Sequence, residues 1–307
     1  VELGASALAG IWFLAIYMLG FGFSLGLQVV IARRNGEQQY AETGKTFFQG
    51  LFFLLILAVL LCLLSKIFSP VLLKHLITSD DVYNAVIRYL DWRIWGLLFS
   101  FPFLALRSFL VGITQTKALN MAAFTAVLMN IPMNWLLIFG LDMGISGVAI
   151  ASSFAEMCSL AVLAAYMFRH IDKKAYGLYW HIDITILKEV FSISVWSMLQ
   201  FFTSVAIWFL FFVAIERLGE TELAVSNIVR SVSALFSVIV NALAGVTGSL
   251  VSNLIGAGEK KQVFPLCHKI IRLGYAIGIP LIVFALFFHQ HIIGCLLYTS
   301  DAADDKA

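Results

Sequence analysis

The residues of this chain best suited to chemistry are amides, hydroxyls and single charges set inside apolar runs. In "MNIPMNWLLIFG" (129–140) Asn130 and Asn134 stand four apart, so on a helix they share a face. Pro132 between them has no N–H to give the carbonyl one turn back, near residue 128. Two amides and a released carbonyl make a patch that can line a cavity for Na⁺, a proton or a polar substrate. The same patch can join helices, where amide contacts average only about 0.6 kcal/mol, and composition favours neither reading. The next run, "GISGVAIASSFAEM", adds Ser146, Ser152 and Ser153, which either face the amides or permit close packing. It also holds Glu156, the one carboxylate well inside it. An acid at that depth is expected either to handle protons or ligand or to sit in a buried pair.

Further along, "AVSNIVRSVSAL" carries Arg230 about two turns into a long run. It reads as a partner for a carboxylate, a lining of an aqueous route, or a charge near the outer interface. "VWSMLQFFTSVAIWFLFF" sets Gln200, Thr203 and Ser204 among Trp196, Phe201, Phe202 and Trp208. That mixture suits a substrate cavity for a flat, lipophilic cation, or packing against lipid. Asp91 and Arg93, flanked by Trp92 and Trp95, read as anchors at a membrane edge. Cys62, Cys158, Cys267 and Cys295 lack metal-like spacing, and His289 and His291 stand two apart, so no metal site is expected. "GAGE" at 256–259 follows no strand and completes no phosphate loop. These residues predict neither an enzyme nor an organic cofactor.

The elements that must position these groups follow from composition. Charged residues make up 12% and apolar ones 61%, with a mean hydropathy of +0.94. A soluble domain carries about 25% charged residues, so the outer surface is expected to face lipid. A net charge of +2 implies no nucleic-acid partner. Apolar runs over 5–32, 46–65, 93–112, 119–140, 145–168, 190–215, 222–255 and 270–293 are each long enough to span a bilayer as a helix. They predict an all-α polytopic protein, since unpaired backbone in lipid leaves only helices or a closed barrel. Alternate connectors hold Arg33, Arg34 and Lys45; Arg107 and Lys117; Arg169, Lys173, Lys174 and Lys188; then Lys260, Lys261, Lys269 and Arg272. The excess of positive charge there puts residues 32–46 on the cytoplasmic side.

"FSLGLQVVIARRNGE" (23–37) lines up with "GVTGSLVSNLIGAGE" (245–259) at an offset of 222, and "LGASALA" (3–9) with "LGETELA" (218–224) at 215. The second copy is therefore expected to carry a seven-residue insertion. Both matched segments run from outside to inside, as in parallel repeats about an axis along the membrane normal. On this reading 1–175 is an N-terminal lobe without its first helix and 176–295 the first three helices of a second lobe. About eight helices of twelve are then present. Residues 296–307 ("LLYTSDAADDKA" within its last turns) read as a tail foreign to the fold, and the start as the inside of a longer reading frame.

"MNIPMNWLLIFG" followed at once by "LDMGISGVAIASS" resembles the fifth and sixth helices of the multidrug and toxic compound extrusion (MATE) transporters. "LRSFLVGITQTKALN" (106–120) resembles the stretch joining their fourth and fifth helices, and 23–37 and 245–259 resemble the ends of the second and eighth. The resemblance covers nearly the whole chain to about residue 290. It implies a monomeric antiporter of two six-helix bundles in a bacterial inner membrane. Such a protein exchanges Na⁺ or H⁺ for small organic, often cationic, compounds by alternating access. The family's ion site uses an acid on the first helix, an Asn and an Asp on the fifth and a hydroxyl on the sixth. By resemblance Asn130 and Ser152 occupy two of these positions, Asn134 stands where the Asp is expected, and Glu156 is a nearby acid that could compensate. Ser204 stands near a Glu that some relatives carry on the seventh helix. The rival readings are a lipid-linked saccharide flippase, which calls for several Arg or Lys in a central cavity, and a non-transporting scaffold.

Overall fold

Hydrocarbon offers the backbone no hydrogen-bond partners, so each apolar run closes its own amides as a helix. The structure, a computed structural model, describes residues 2–77, 79–180, 182–216 and 220–288, and its regular elements there are all helical. They are α1 (Glu2–Gly36), α2 (Tyr40–Leu76), α3 (Asp80–Arg93), α4 (Leu97–Gly112), α5 (Lys117–Trp135), α6 (Gly144–His170), α7 (Ile184–Glu216), α8 (Glu220–Gly256) and α9 (Lys260–Phe287). A 3₁₀ turn, Ile94–Gly96, fuses α3 to α4, and a π turn, Leu136–Gly140, extends α5. Eight of the resulting rods are long and apolar enough to cross a membrane, the number the hydropathy predicts. The tail at 296–307, like His289, His291 and Cys295, lies outside the described residues.

The span predicted over 93–112 begins earlier, at Asp80. "DDVYNAVIRYLDWR" is too polar to read as membrane-spanning, yet it buries Ala85, Val86, Tyr89 and Leu90 along one face. Ser79 caps it by accepting from the Val82 amide at 3.5 Å.

Helix α1 is the spine, packed against α2, α3, α4, α7 and α8. Its glycines allow this. A Cβ on Gly22 would stand 2.5 Å from Met198 Cα, and one on Gly26 would stand 2.8 Å from Ser194 Cα. Small residues one turn apart let two backbones approach, the usual basis of close helix contact in lipid. Ser194 uses that proximity to donate to the Phe23 carbonyl at 3.2 Å.

The two repeated segments pack side by side, in parallel, but in a different register from the sequence match. Gly36 lies against the Asn253 carbonyl and Gly256 against the Arg33 carbonyl, and a Cβ at either glycine would come within 2.1 Å of the oxygen. These contacts exchange under a shift of 220 residues (253 less 33, and 256 less 36), not 222. The turns that follow agree. Gln38 (φ 60°) and Gly258 (φ 79°) are both left-handed. The bonds Glu37 N to Arg33 O and Gln39 N to Arg34 O recur as Ala257 N to Asn253 O and Glu259 N to Leu254 O. Reciprocal contacts between equivalent residues are the mark of a two-fold axis, here running between α1 and α8. The identities at 222 mislead because Gly258 fills a left-handed position that Gln38 fills in the first copy. α1 and α8 are unbroken helices of 35 and 37 residues, so any extra residues in the second copy lie within a continuous helix.

Candidate functional site

The face of α5 that carries Phe124, Ile131, Trp135 and Phe139 is strongly exposed, as a lipid surface should be. Asn130 and Asn134 lie off that stripe, half-buried on its flank. Asn134 Nδ2 donates to Asn130 Oδ1 at 2.9 Å, while Asn134 Oδ1 is buried without a partner. An unmet buried acceptor is costly, so this oxygen is open to a cation or a donor. Ser152 is half-buried on α6, and no hydrogen bond among the described residues joins it to either amide.

Glu156 belongs to a different centre. Its carboxylate accepts two bonds from Arg93, at 3.0 Å from Nη1 and 2.5 Å from Nη2, pinning α3 to α6. The Arg93 side chain is only 10% exposed, and its guanidinium lies 3.8 Å from the centre of the Phe13 ring. Gly96 makes room for the pair, since a Cβ there would meet Arg93 Nη1 at 2.3 Å and Glu156 Oε2 at 2.8 Å. This corrects the reading of Arg93 as an interfacial anchor. Asp91 does stay at the edge, paired with Lys66 at 2.5 Å, but Arg93 turns inward because the 3₁₀ turn continues the helix instead of ending it.

Arg107 is a second correction. Grouped with a cytoplasmic connector, it instead sits inside α4, next to Ser108, which donates to the Ser24 carbonyl of α1 at 2.7 Å. That level lies near the middle of the Leu8–Gly36 span. The signal was present: residue 107 falls inside a run that continues apolar to Gly112.

The substrate-cavity residues separate. Arg230 lines a cavity of about 250 Å³ with Ile11, Leu14, Val205, Trp208 and Ser233, between the outer halves of α1, α7 and α8. Trp196, Gln200, Thr203 and Ser204 lie on the exposed side of α7, away from Val190, Ser194 and Phe201, which face α1. Ser204 donates to the Gln200 carbonyl within its own helix at 2.8 Å.

At the opposite end α1 and α8 are closed by a polar network. Gln28 Nε2 donates to Ser249 Oγ at 2.7 Å and to the Gly245 carbonyl at 3.0 Å. Asn35 Nδ2 donates to Asn253 Oδ1 at 2.8 Å, and Asn253 Nδ2 donates to the Gly112 carbonyl at 2.9 Å. Arg34 binds Glu189 of α7 at 2.6 Å. Tyr176, in the connector before α7, points its hydroxyl at Asn35 Oδ1 (3.5 Å), and burial raises its pKa, so it stays a donor. This is the end that the basic residues place in the cytoplasm. Among the described residues no cluster of His, Cys, Asp or Glu could hold a metal ion.

A bundle with eight membrane-spanning helices among the described residues, its outer faces apolar and exposed, defines an all-α polytopic membrane protein. Comparison with known proteins gives the family. The MatE family profile matches residues 1–136 and 197–305, so the chain belongs to the MatE family. It is 23% identical over 276 residues to a probable multidrug resistance protein NorM of Idiomarina loihiensis, covering 85% of this chain and 58% of that one. With the protein of the same description from Shewanella oneidensis it shares 26% over 245 residues, 76% of this chain and 52% of the other. The chain thus spans between half and three-fifths of the length of these relatives. A solved structure described as the outward-facing conformation of a multidrug resistance MATE family transporter superimposes with a TM-score of 0.85 at 20% identity, over 96% of this chain and 66% of that one. The eukaryotic MATE transporter AtDTX14 gives 0.79 at 19% identity, over 94% and 64%. With bacterial relatives and eight spans, the chain is a multi-pass protein of a bacterial inner membrane.

Proposed function

We propose that this protein is an ion-coupled antiporter that exports small organic compounds, cations among them, by alternating access. In this reading 1–175 and 176–295 belong to two lobes of a monomer, and Na⁺ or H⁺ is the driving ion. The observation that carries it is the asymmetry of the α1–α7–α8 contact. One end is held by side-chain hydrogen bonds and glycine-to-carbonyl packing, while the other encloses a largely apolar cavity of about 250 Å³. A path closed at one end and open at the other is half of an alternating-access cycle. The multidrug names of the relatives supply the cargo class, and Trp208 gives the cavity an aromatic face for a flat cargo.

The ion is assigned to the amide pair, where Asn134 Oδ1 is the unmet acceptor. Two neutral amides cannot exchange protons at ordinary pH, so they suit Na⁺, and proton coupling falls to Glu156. The flippase reading calls for several Arg or Lys in one cavity, whereas Arg230 is the single basic residue among those lining the outer cavity and Arg93 is paired with Glu156. The test is dye export from proteoliposomes holding the full-length protein, with Na⁺ and pH gradients imposed separately. Ethidium movement is expected with at least one gradient and not without. Equal movement with both gradients collapsed would refute coupling.

A further inference from the structure

Along one face of α1, Phe13, Tyr17 and Phe21 form a ladder with ring centres 6.3 and 6.4 Å apart. A guanidinium stands over each end: Arg93 at 3.8 Å from the Phe13 ring centre, and Arg107 at 5.7 Å from that of Phe21. Both arginines and Glu156 lie within electrostatic reach of the Tyr17 hydroxyl between them. The two cations are not equivalent. Arg93 holds Glu156 through both carboxylate oxygens, which uses the nearby acid. Arg107 has no salt bridge among the described residues, and its Nη1 is buried with no hydrogen-bond partner. The residue as a whole is nevertheless only partly covered. Beside this ladder stand two positive charges and one negative: Arg93 with Glu156 at Phe13, near the start of the α1 span, and Arg107 at Phe21, near its middle. A charge at that depth is rare unless it is paired or serves a ligand.

We propose that Arg107 is an anion subsite of the transport path, taking the carboxylate or sulfonate of an organic cargo whose apolar body lies along Tyr17 and Phe21. A guanidinium presents parallel donors that match two anionic oxygens. Aromatic rings beside it suit a ring-bearing cargo. The inference rests on the export reading above and narrows it: the accepted compounds include those with an acidic group, whether or not they also carry a positive charge.

The experiment measures fluorescein, an organic anion, and ethidium, an organic cation, binding by fluorescence anisotropy to the full-length protein in nanodiscs. Wild type is expected to bind both. Arg107→Gln should weaken fluorescein by about tenfold or more, the scale of a lost charge-assisted contact, and leave ethidium within about twofold. Arg107→Lys should recover part of the loss. Because Arg107→Gln can fail to fold, a competition in wild type stands beside it: benzoate is expected to displace fluorescein, and its neutral analogue benzyl alcohol is not. Equal fluorescein affinity in wild type and Arg107→Gln would overturn the proposal, as would equal displacement by both competitors. Ethidium binding with no fluorescein binding would also overturn it while leaving the export reading intact, whereas binding of neither dye would count against both.

Discussion

Asn253 is the side chain whose loss should most change the balance between the two access states. It accepts from Asn35 of α1 and donates to the Gly112 carbonyl at the end of α4, so Asn253→Leu removes two bonds between helices at the closed end. Leucine keeps the volume and adds no charge. Polar contacts between membrane helices average about 0.6 kcal/mol each and reach about 1.7, so the pair is worth about 1–3 kcal/mol. That corresponds to a shift of roughly 5- to 150-fold in the closed-to-open equilibrium. Spin labels at Tyr40 and Lys260, both exposed at the starts of α2 and α9, report on that end by pulsed dipolar spectroscopy. The variant should gain a longer-distance component over wild type, and ethidium should reverse part of the gain if it prefers the outward state. A distance distribution that superimposes on wild type, in protein of normal thermal stability, would refute the assignment of this network as the seal.

Three further outcomes follow from the same contacts. Glu156→Gln leaves Arg93 buried without its counter-ion and should cost about 3 kcal/mol, the low end for breaking a buried pair; a thermal melt should show Arg93→Met/Glu156→Gln closer to wild type than the single variant, and an unchanged Tm would remove the pair's structural role. Gly26→Ala drives a Cβ to 2.8 Å from Ser194 Cα, so α1 and α7 must separate, and a loss of about 1–3 kcal/mol is expected on the scale of overpacking, read as a lower melting temperature. Because Asn130 Oδ1 already accepts from Asn134 while Asn134 Oδ1 is unmet, Asn134→Ala should raise the Na⁺ concentration for half-maximal dye export more than Asn130→Ala; equal responses would take the pair out of ion binding.

Most of the architecture was legible in the chain because hydrocarbon tolerates so few backbone solutions. Continuous apolar runs named all eight spans. What escaped was local polarity in the service of packing. The stretch that became α3 hid behind Asp80, Asp81 and Arg88, since only one of its faces is apolar. Arg93 and Arg107 were read from their charge and nearness to a boundary, whereas an unbroken α3–α4 rod carries both inward. The repeat was visible as a pair of glycine-bearing ends, but its register required the reciprocal contacts of Gly36 and Gly256, which identity between short apolar segments does not encode. For the amides, sequence gave the shared helical face, and the structure adds which of the two oxygens is left open. The polar residues on α7 show the limit of inference by type. Gln200, Thr203 and Ser204 are suited to a cavity, yet their helix turns its Ser194 face to α1.

The central claim is that this path opens at the end bearing Arg230 and closes at the end bearing Asn253. Labelling of single cysteines by a membrane-impermeant thiol reagent tests it directly, in a background with Cys62, Cys158, Cys267 and Cys295 replaced. Ser237→Cys lines the open cavity, and Ser249→Cys is buried beside Gln28. Ser237→Cys should label quickly from outside intact cells, with Ser249→Cys protected from both sides. Fast labelling of Ser249→Cys from the cytoplasmic side, with Ser237→Cys protected, would contradict it.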